Sequence, residues 1–112
     1  MYGYLIDPET RTITEVQHNG SLEEIYALLD CEMIEAAPIN SQTECSVYVD
    51  EEGLYRLNGD EPVPVFQFIS GHQPMIGRAL VIGPPDDEGN TTEPDDVDLD
   101  WLTSITMFGT LG

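Results

Sequence analysis

The sequence predicts an α+β fold with a largely antiparallel sheet, one helix in the N-terminal half and a short C-terminal helix. Two observations lead to this prediction. Several short stretches alternate apolar and polar residues, as half-buried strands do. Helical spacing of apolar residues occurs early in the chain and again near its end. The order is therefore hairpin, helix, several strands and final helix, and 112 residues suit one domain, 1–112.

The N-terminal part of the chain predicts a β-hairpin followed by a helix. Residues 2–6 and 12–17 alternate in polarity, and the sequence DPET at 7–10 has the composition of a turn. Ser21 and Glu24 have the spacing of a capping box, in which each side chain accepts from the other residue's main-chain N–H. In the helix that follows, four residues at helical spacing are expected to face the core: Leu22, Ile25, Leu28 and Leu29.

Short strands and one long acidic loop make up the rest of the prediction. Residues 63–69 begin near two prolines, which favours an edge strand, and residues 76–82 are the most strand-like stretch in the chain. A loop rich in Pro, Gly and Asp covers about residues 84–96 and precedes a short helix at 97–105. The other expected strands are 33–39, 45–49, 54–57 and 106–108.

Charge is the most unusual property of the composition. The chain has 22 Asp and Glu residues against three Arg and no Lys, for a formal net charge of −19. This charge repels nucleic acid and anionic membranes, so neither is expected as a direct ligand, and it attracts basic protein surfaces. The chain lacks the ~20-residue apolar stretch of a membrane span and the basic start of a signal peptide, so we expect a cytoplasmic protein.

The acidic segment, residues 86–100, holds eight carboxylates without a basic neighbour: Asp86, Asp87, Glu88, Glu93, Asp95, Asp96, Asp98 and Asp100. Fully extended, its fifteen residues would span ~50 Å, which spaces the charges more widely than the ~3.4 Å of a nucleic-acid strand. Folding of the segment would bring the charges closer together. Mimicry of a polyanion therefore requires an ordered segment, and the alternative is a solvated acidic loop.

A calcium site is not expected in this segment. Asp96, Asp98 and Asp100 have the spacing that opens a calcium-binding loop. Such a loop needs glycine at its sixth position and a bidentate glutamate at its twelfth, where this chain has Trp101 and Met107.

Catalytic and zinc-binding motifs are also missing. His18 and His72 stand in no CxxC or HExxH spacing. Cys31 and Cys45 are too few for a disulfide framework and have no basic neighbour to lower a thiol pKa. They could pair if adjacent strands carry them, but the favoured expectation is two half-buried thiols. The sequence therefore predicts no enzyme, no metal and no cofactor.

Four further residues are expected to affect the structure or the binding of a partner. Arg78 lies in a predicted strand and is expected to pair with a carboxylate. Trp101 is either the core anchor of the last helix or an exposed anchor at an interface, where tryptophan is enriched. Glu51 and Glu52 are expected to form a secondary acidic patch.

Three stretches of the sequence carry a resemblance to a known group. PMIGRALVIG at 74–83, YGYLIDP at 2–8 and VDEEGL at 49–54 resemble a family of small acidic phage- and plasmid-encoded proteins of unknown function. The resemblance covers most of the chain and brings no catalytic residues with it. It implies a bacterial cytoplasm and a mobile-element origin, and small acidic proteins of that origin often block host defence proteins at their nucleic-acid sites.

The favoured function is a non-enzymatic inhibitor of the anti-CRISPR or anti-restriction type. It would act as a DNA mimic on a basic, nucleic-acid-binding nuclease or defence complex of the host. The partner-binding residues would be the eight acids of the acidic segment, with Trp101, Glu51 and Glu52. One alternative is a binding or regulatory module whose acidity only adapts it to high internal salt, and another is a hydrolase or metal-dependent enzyme suggested by the abundance of carboxylates. A homodimer is left open.

Overall fold

Two antiparallel sheets and two helices form the fold in the computed structural model, which describes residues 1–37, 45–51, 62–69 and 74–111. The elements of these residues are β1 Tyr2–Asp7, β2 Thr12–Gln17, α1 Leu22–Leu29, β3 Ile34–Ala37, β4 Ser46–Asp50, β5 Val63–Phe68, β6 Met75–Ile76, β7 Ala79–Ile82, α2 Leu99–Ile105 and β8 Thr106–Leu111. Sheet A has the strand order β2-β1-β7-β4-β3, and sheet B has the order β6-β5-β8. The predicted α+β class, with mainly antiparallel strands and two short helices, is confirmed.

Sheet A is the middle layer, with apolar residues packed on both of its faces. Residues of α1 pack on one face in a cluster made by Ile25, Leu29, Leu80 and Ile82. Residues of sheet B and α2 pack on the other face, in a larger cluster that includes Ile6, Val47, Phe66, Val81 and Leu102. Because β7 lies at the centre of sheet A, all four of its residues are buried, as a strand covered on both faces requires.

The predicted N-terminal hairpin is confirmed. Strands β1 and β2 pair from Tyr2 with Gln17 to Asp7 with Thr12. In the turn, Asp7 Oδ1 accepts a hydrogen bond of 3.0 Å from the Glu9 main-chain N–H, which is the local bonding expected of aspartate before a turn.

Helix α1 begins at the predicted cap, but its bonding and its buried face differ in part from the prediction. Ser21 Oγ accepts from the Glu24 N–H at 3.2 Å, whereas the Glu24 carboxylate accepts from the Asn19 N–H at 3.1 Å and not from Ser21. Leu22, at the first turn, is 58% exposed, so its predicted core position is wrong. The helix residues that do pack toward sheet A are Ile25, Leu28 and Leu29.

The single strand predicted at 76–82 is wrong, because the chain divides this stretch between the two sheets. Strand β6 ends at Ile76 in sheet B, and β7 begins at Ala79 in sheet A. Gly77 between them has φ +87°, a left-handed conformation that glycine adopts readily and that interrupts an extended strand. Apolar composition predicted strand structure here, but it could not reveal the corner.

The predicted edge position of β5 is also wrong, since β5 lies between β6 and β8. Pro64 is tolerated in β5 because β6 is too short to pair with it. Pro64 is in register with Thr110 of β8, whereas β6 pairs only with Val65 and Phe66. Among the described strands, Pro64 thus has a neighbour on one side only, and its missing N–H breaks no ladder on the other side.

Other predictions fall in part outside the described residues. The strand predicted at 54–57, together with Glu52, Arg56 and His72, lies there. Cys31 is half-buried and Cys45 is buried, both as thiols, and they belong to clusters on opposite faces of sheet A. Within the described part of the chain, neither helix is long and apolar enough to cross a membrane.

Candidate functional site

The acidic segment follows β7 in a loop that starts at Gly83 and turns back on itself. The Gly83 N–H donates to the Thr92 carbonyl at 2.8 Å, and the Thr92 hydroxyl donates to the Pro84 carbonyl. The bonds bring residues 83 and 92 side by side, so the chain between them forms a closed loop. The fifteen residues of the segment, if fully extended, would be longer than the 44 Å longest dimension of the molecule. The closed loop shortens the segment and brings its charges closer together.

The tip of the loop is shaped by one aspartate. Asp86 Oδ1 accepts from the main-chain N–H groups of Glu88 at 2.9 Å and Asn90 at 2.8 Å. The bonds from Asn90 and Glu88 stabilise the ionised form and lower the pKa of Asp86 below its ordinary value of 3.8. These bonds therefore favour the ionised carboxylate of Asp86, and the tip presents the exposed tip acids, Asp86, Asp87 and Glu88.

The returning arm of the loop is anchored to the N-terminal hairpin. Glu93 Oε2 accepts a 2.9 Å bond from the Tyr2 main-chain N–H, and the Thr91 hydroxyl donates to the Gly20 carbonyl at 3.1 Å. Pro94, which follows, is fully buried. Glu93 is therefore half-buried and bound to a main-chain donor, so it serves as an anchor, whereas the sequence placed it among the partner-binding acids.

The second half of the segment leads into α2 and carries the base acids, the exposed residues Asp95, Asp96, Asp98 and Asp100. Val97 among them is only 4% exposed, and its carbonyl accepts from the Tyr4 hydroxyl at 3.4 Å. Asp98 is the N-cap of α2, where its Oδ1 accepts from the Trp101 N–H at 2.7 Å. The base acids therefore also stand on an anchored backbone.

Two tyrosines report the negative potential around the base acids. Burial first, and then the charge of Asp95, raises the pKa of Tyr2. Burial first, and then the charges of Glu15 and Asp98, raises the pKa of Tyr4. Glu15, which pairs with Tyr4 across the hairpin, thus belongs to the same acidic surface. Sequence reasoning missed it, because the register of the predicted hairpin places Glu15 only beside Tyr4, and the tertiary structure brings the base acids to the same surface.

Apolar side chains accompany the base acids. Trp101 is half-buried and packs against the larger core cluster, so part of its surface is accessible beside the acids. Leu99, in the first turn of α2, is 38% exposed. The base acids and these two side chains form one mixed surface on α2 and the chain before it.

The described arginines lie at the opposite end of sheet A. Arg78 is next to β7 at the end that carries Asp7, and its Nε lies 3.4 Å from Asp7 Oδ2, which confirms the predicted ion pair. Arg11 is in the β1–β2 turn, at that same end of sheet A. Glu51, which follows β4, also lies at this end. Strand β1 separates this end from Gly83 by roughly 17 Å. The structure thus places Glu51 apart from the acidic segment.

The described residues offer little for metal binding. No three His, Cys, Asp or Glu side chains in the ranges 1–37, 45–51, 62–69 and 74–111 converge as metal ligands would. His18 is 5% exposed, and its Nδ1 accepts from the Gly20 N–H at 3.1 Å, so it supports the hairpin end on which the acidic segment is anchored.

Comparisons with known proteins identify the family but not an activity. No curated protein and no solved structure matches the chain. One family model matches residues 1–106, which is nearly the whole chain, and it describes a domain of unknown function. The resemblance of the sequence to a family of unknown function is to that extent confirmed. The chain belongs to the DUF3846 family, the domain of unknown function whose model spans these residues.

Proposed function

We propose that the protein is a non-enzymatic inhibitor that binds a basic, nucleic-acid-binding host protein through its acidic segment. One observation carries the proposal: the exposed carboxylates of the segment stand on a backbone that is anchored at Gly83, Thr91 and Glu93. A solvated acidic loop would lose conformational entropy on meeting a partner. An anchored one has lost most of it on folding, so more of the electrostatic attraction is retained as affinity.

The distribution of positive charge supports the same proposal. Strand β1 separates the end of sheet A that carries both described arginines from Gly83, where the acidic loop closes, by roughly 17 Å, which exceeds the ~10 Å screening length at 0.1 M salt. The terminal amino group of Met1 lies at the end of sheet A that carries the acidic segment, and it donates a hydrogen bond to the His18 carbonyl. The tip and base acids therefore project a field that steers a cationic surface toward this end of the molecule.

The proposal has three further parts: a mobile-element origin, action in a bacterial cytoplasm, and a nuclease or defence complex as the target. They rest on the resemblance carried by residues 74–83, 2–8 and 49–54, and on analogy with small acidic inhibitors. An inhibitor of that kind needs no catalytic group, because occupation of a nucleic-acid groove is sufficient.

Competition with nucleic acid tests the proposal. A tagged chain would isolate its partner from a bacterial lysate, and displacement of a fluorescent DNA duplex from that partner would then be measured. We expect displacement, with an apparent affinity that falls as salt rises because the attraction is screened. The triple variant Asp95→Asn, Asp96→Asn and Asp100→Asn should weaken it about tenfold, at roughly 0.5 kcal/mol for each exposed charge.

A matched variant separates the segment from net charge. Glu32→Gln, Glu35→Gln and Glu51→Gln alter three exposed acids and change the net charge equally, but they lie around β3 and the far end of β4. This variant should compete almost as well as the native chain. Equal weakening by both variants, an unaltered affinity in the first, or failure to displace the duplex would each overturn the proposal. Asp98 is left intact because it caps α2.

A further inference from the structure

A buried histidine follows β2, and one of its two ring nitrogens is bonded to the main chain. His18 is 5% exposed, and its Nδ1 accepts from the Gly20 main-chain N–H at 3.1 Å. The bond spans two residues, as in the turns that Asn and Asp side chains form with their own backbone. Because Nδ1 accepts this bond, it carries no proton, and the ring is neutral with its single proton on Nε2.

The other ring nitrogen is enclosed by β1 and β7. A Cβ added to Gly3 would lie 3.3 Å from His18 Nε2 and 2.9 Å from the Val81 carbonyl oxygen, so the ring packs over β1 where glycine leaves room for it. Nε2 is buried, and it has no hydrogen-bond partner among the residues that the structure describes. A second proton on this ring would therefore have to bind at Nδ1, and it would remove the acceptor of the Gly20 N–H.

Gly20 connects this ring to the acidic segment. Its N–H is bound to His18, and its carbonyl accepts from the Thr91 hydroxyl at 3.1 Å on the returning arm of the loop. A Cβ added to Gly20 would lie 3.4 Å from the Thr91 Cβ, so the two residues are in contact. The φ of Gly20 is +81°, a left-handed conformation that the bond from its N–H helps to fix. Loss of that bond frees Gly20 to change conformation and weakens its bond to Thr91.

Three charged groups are hydrogen-bonded to the main chain beside His18 in the described part of the molecule. The terminal amino group of Met1 donates to the His18 carbonyl at 2.8 Å, and it opposes a positive charge on the ring. The Glu24 carboxylate accepts from the N–H of residue 19, and the Glu93 carboxylate accepts from the N–H of residue 2. Both carboxylates favour a positive charge. None of these three bonds involves a ring nitrogen, and β7 contributes only apolar residues at this point.

We propose that His18 is a pH-sensitive switch that holds the returning arm at neutral pH and releases it in mild acid. In the anchored arrangement the ring is neutral, whereas an opened arrangement exposes both nitrogens to water, so protons bind the opened form in preference. Anchoring is therefore complete at neutral pH and is lost as the pH falls through the range between 8 and 5, in which histidine ordinarily gains its charge. The proposal concerns the position of the arm, so it does not depend on what the acidic segment binds.

NMR of the full chain at about pH 7.5 and about pH 5.5 provides the test. The imidazole ¹⁵N shifts of His18 should show a proton on Nε2 alone at the higher pH and on both nitrogens at the lower pH. Amide protection factors, which correct for the intrinsic pH dependence of exchange, should fall about tenfold at Gly20 and Tyr2, the effect of losing one hydrogen bond. The amide of Asn90 is the internal control, because it is bound to Asp86 at the tip, and its protection should change less than about twofold.

Two histidine variants separate the switch from the titration of carboxylates. His18→Asn keeps an acceptor for the Gly20 N–H but does not titrate in this range, so its protection factors should change less than about twofold. His72→Asn removes the other histidine of the chain and should retain the native response. A ring that stays singly protonated at the lower pH, an equal response in His18→Asn, or a lost response in His72→Asn would overturn the proposal. If circular dichroism shows that His18→Asn does not fold, the ¹⁵N shifts and the protection factors of the native chain and of His72→Asn remain decisive.

Discussion

Gly83→Ala is the substitution that most directly tests the anchoring of the acidic segment. A Cβ at this position would overlap the Glu93 carbonyl oxygen and the Thr92 hydroxyl, and it would lie 2.8 Å from the Glu93 carbonyl carbon. Gly83 has no left-handed φ, so alanine would introduce a steric change and no backbone strain. Two of the three contacts are with main chain, which cannot rotate away. The returning arm of the loop must therefore move.

The cost follows from two terms. Forcing a methyl group into a closely packed site costs ~1–3 kcal/mol. Displacement of the arm also breaks the 2.8 Å bond from the Gly83 N–H to the Thr92 carbonyl, a net loss of ~0.5–1.5 kcal/mol. The sum is about 1.5–4.5 kcal/mol, which for a domain of this size corresponds to a fall of roughly 6–19 °C in melting temperature.

Thermal unfolding and amide hydrogen exchange measure this cost. Gly109→Ala is the matched control, because a Cβ there meets nothing within 4 Å and Gly109 lies on β8, away from the segment. We expect the control to change the free energy of unfolding by less than ~1 kcal/mol. In Gly83→Ala, exchange should accelerate at the amides of Tyr2 and Gly83, whose acceptors lie on the returning arm. Native melting temperature and native exchange in Gly83→Ala would refute the anchoring argument.

Four other predictions follow from the same structure. Leu102→Ala should cost ~2–5 kcal/mol in urea unfolding, because Leu102 is fully buried in the larger cluster. Asp86 has a lowered pKa, so its contribution to loop stability should be complete above pH 3.8 and lost as pH falls through the lower, folded pKa, with the Asn90 amide shift as the readout. Asp95→Asn should reduce the elevation of the Tyr2 pKa in a spectroscopic alkaline titration. Added salt should raise the melting temperature by screening self-repulsion, and a fold that needs molar salt would favour salt adaptation over purposeful charge.

Local signals in the sequence were sufficient for several elements. The hairpin at 2–17, the cap at Ser21 and the helix near the C-terminus follow from alternation, turn composition and helical spacing, which act over a few residues. The density of acids in the acidic segment was equally visible, because charge is a property of composition.

Only the tertiary structure decided how these elements meet. It split residues 75–82 between two sheets, placed β5 between β6 and β8, turned Glu93 inward and brought Glu15 beside the base acids. A cavity beside Arg78 is likewise lined, among the described residues, by the β1–β2 turn, α1, β5 and the β6–β7 corner, which are distant in sequence. The physical reason is that periodicity specifies which face of an element is apolar, whereas the choice of partner is made by long-range packing and main-chain pairing.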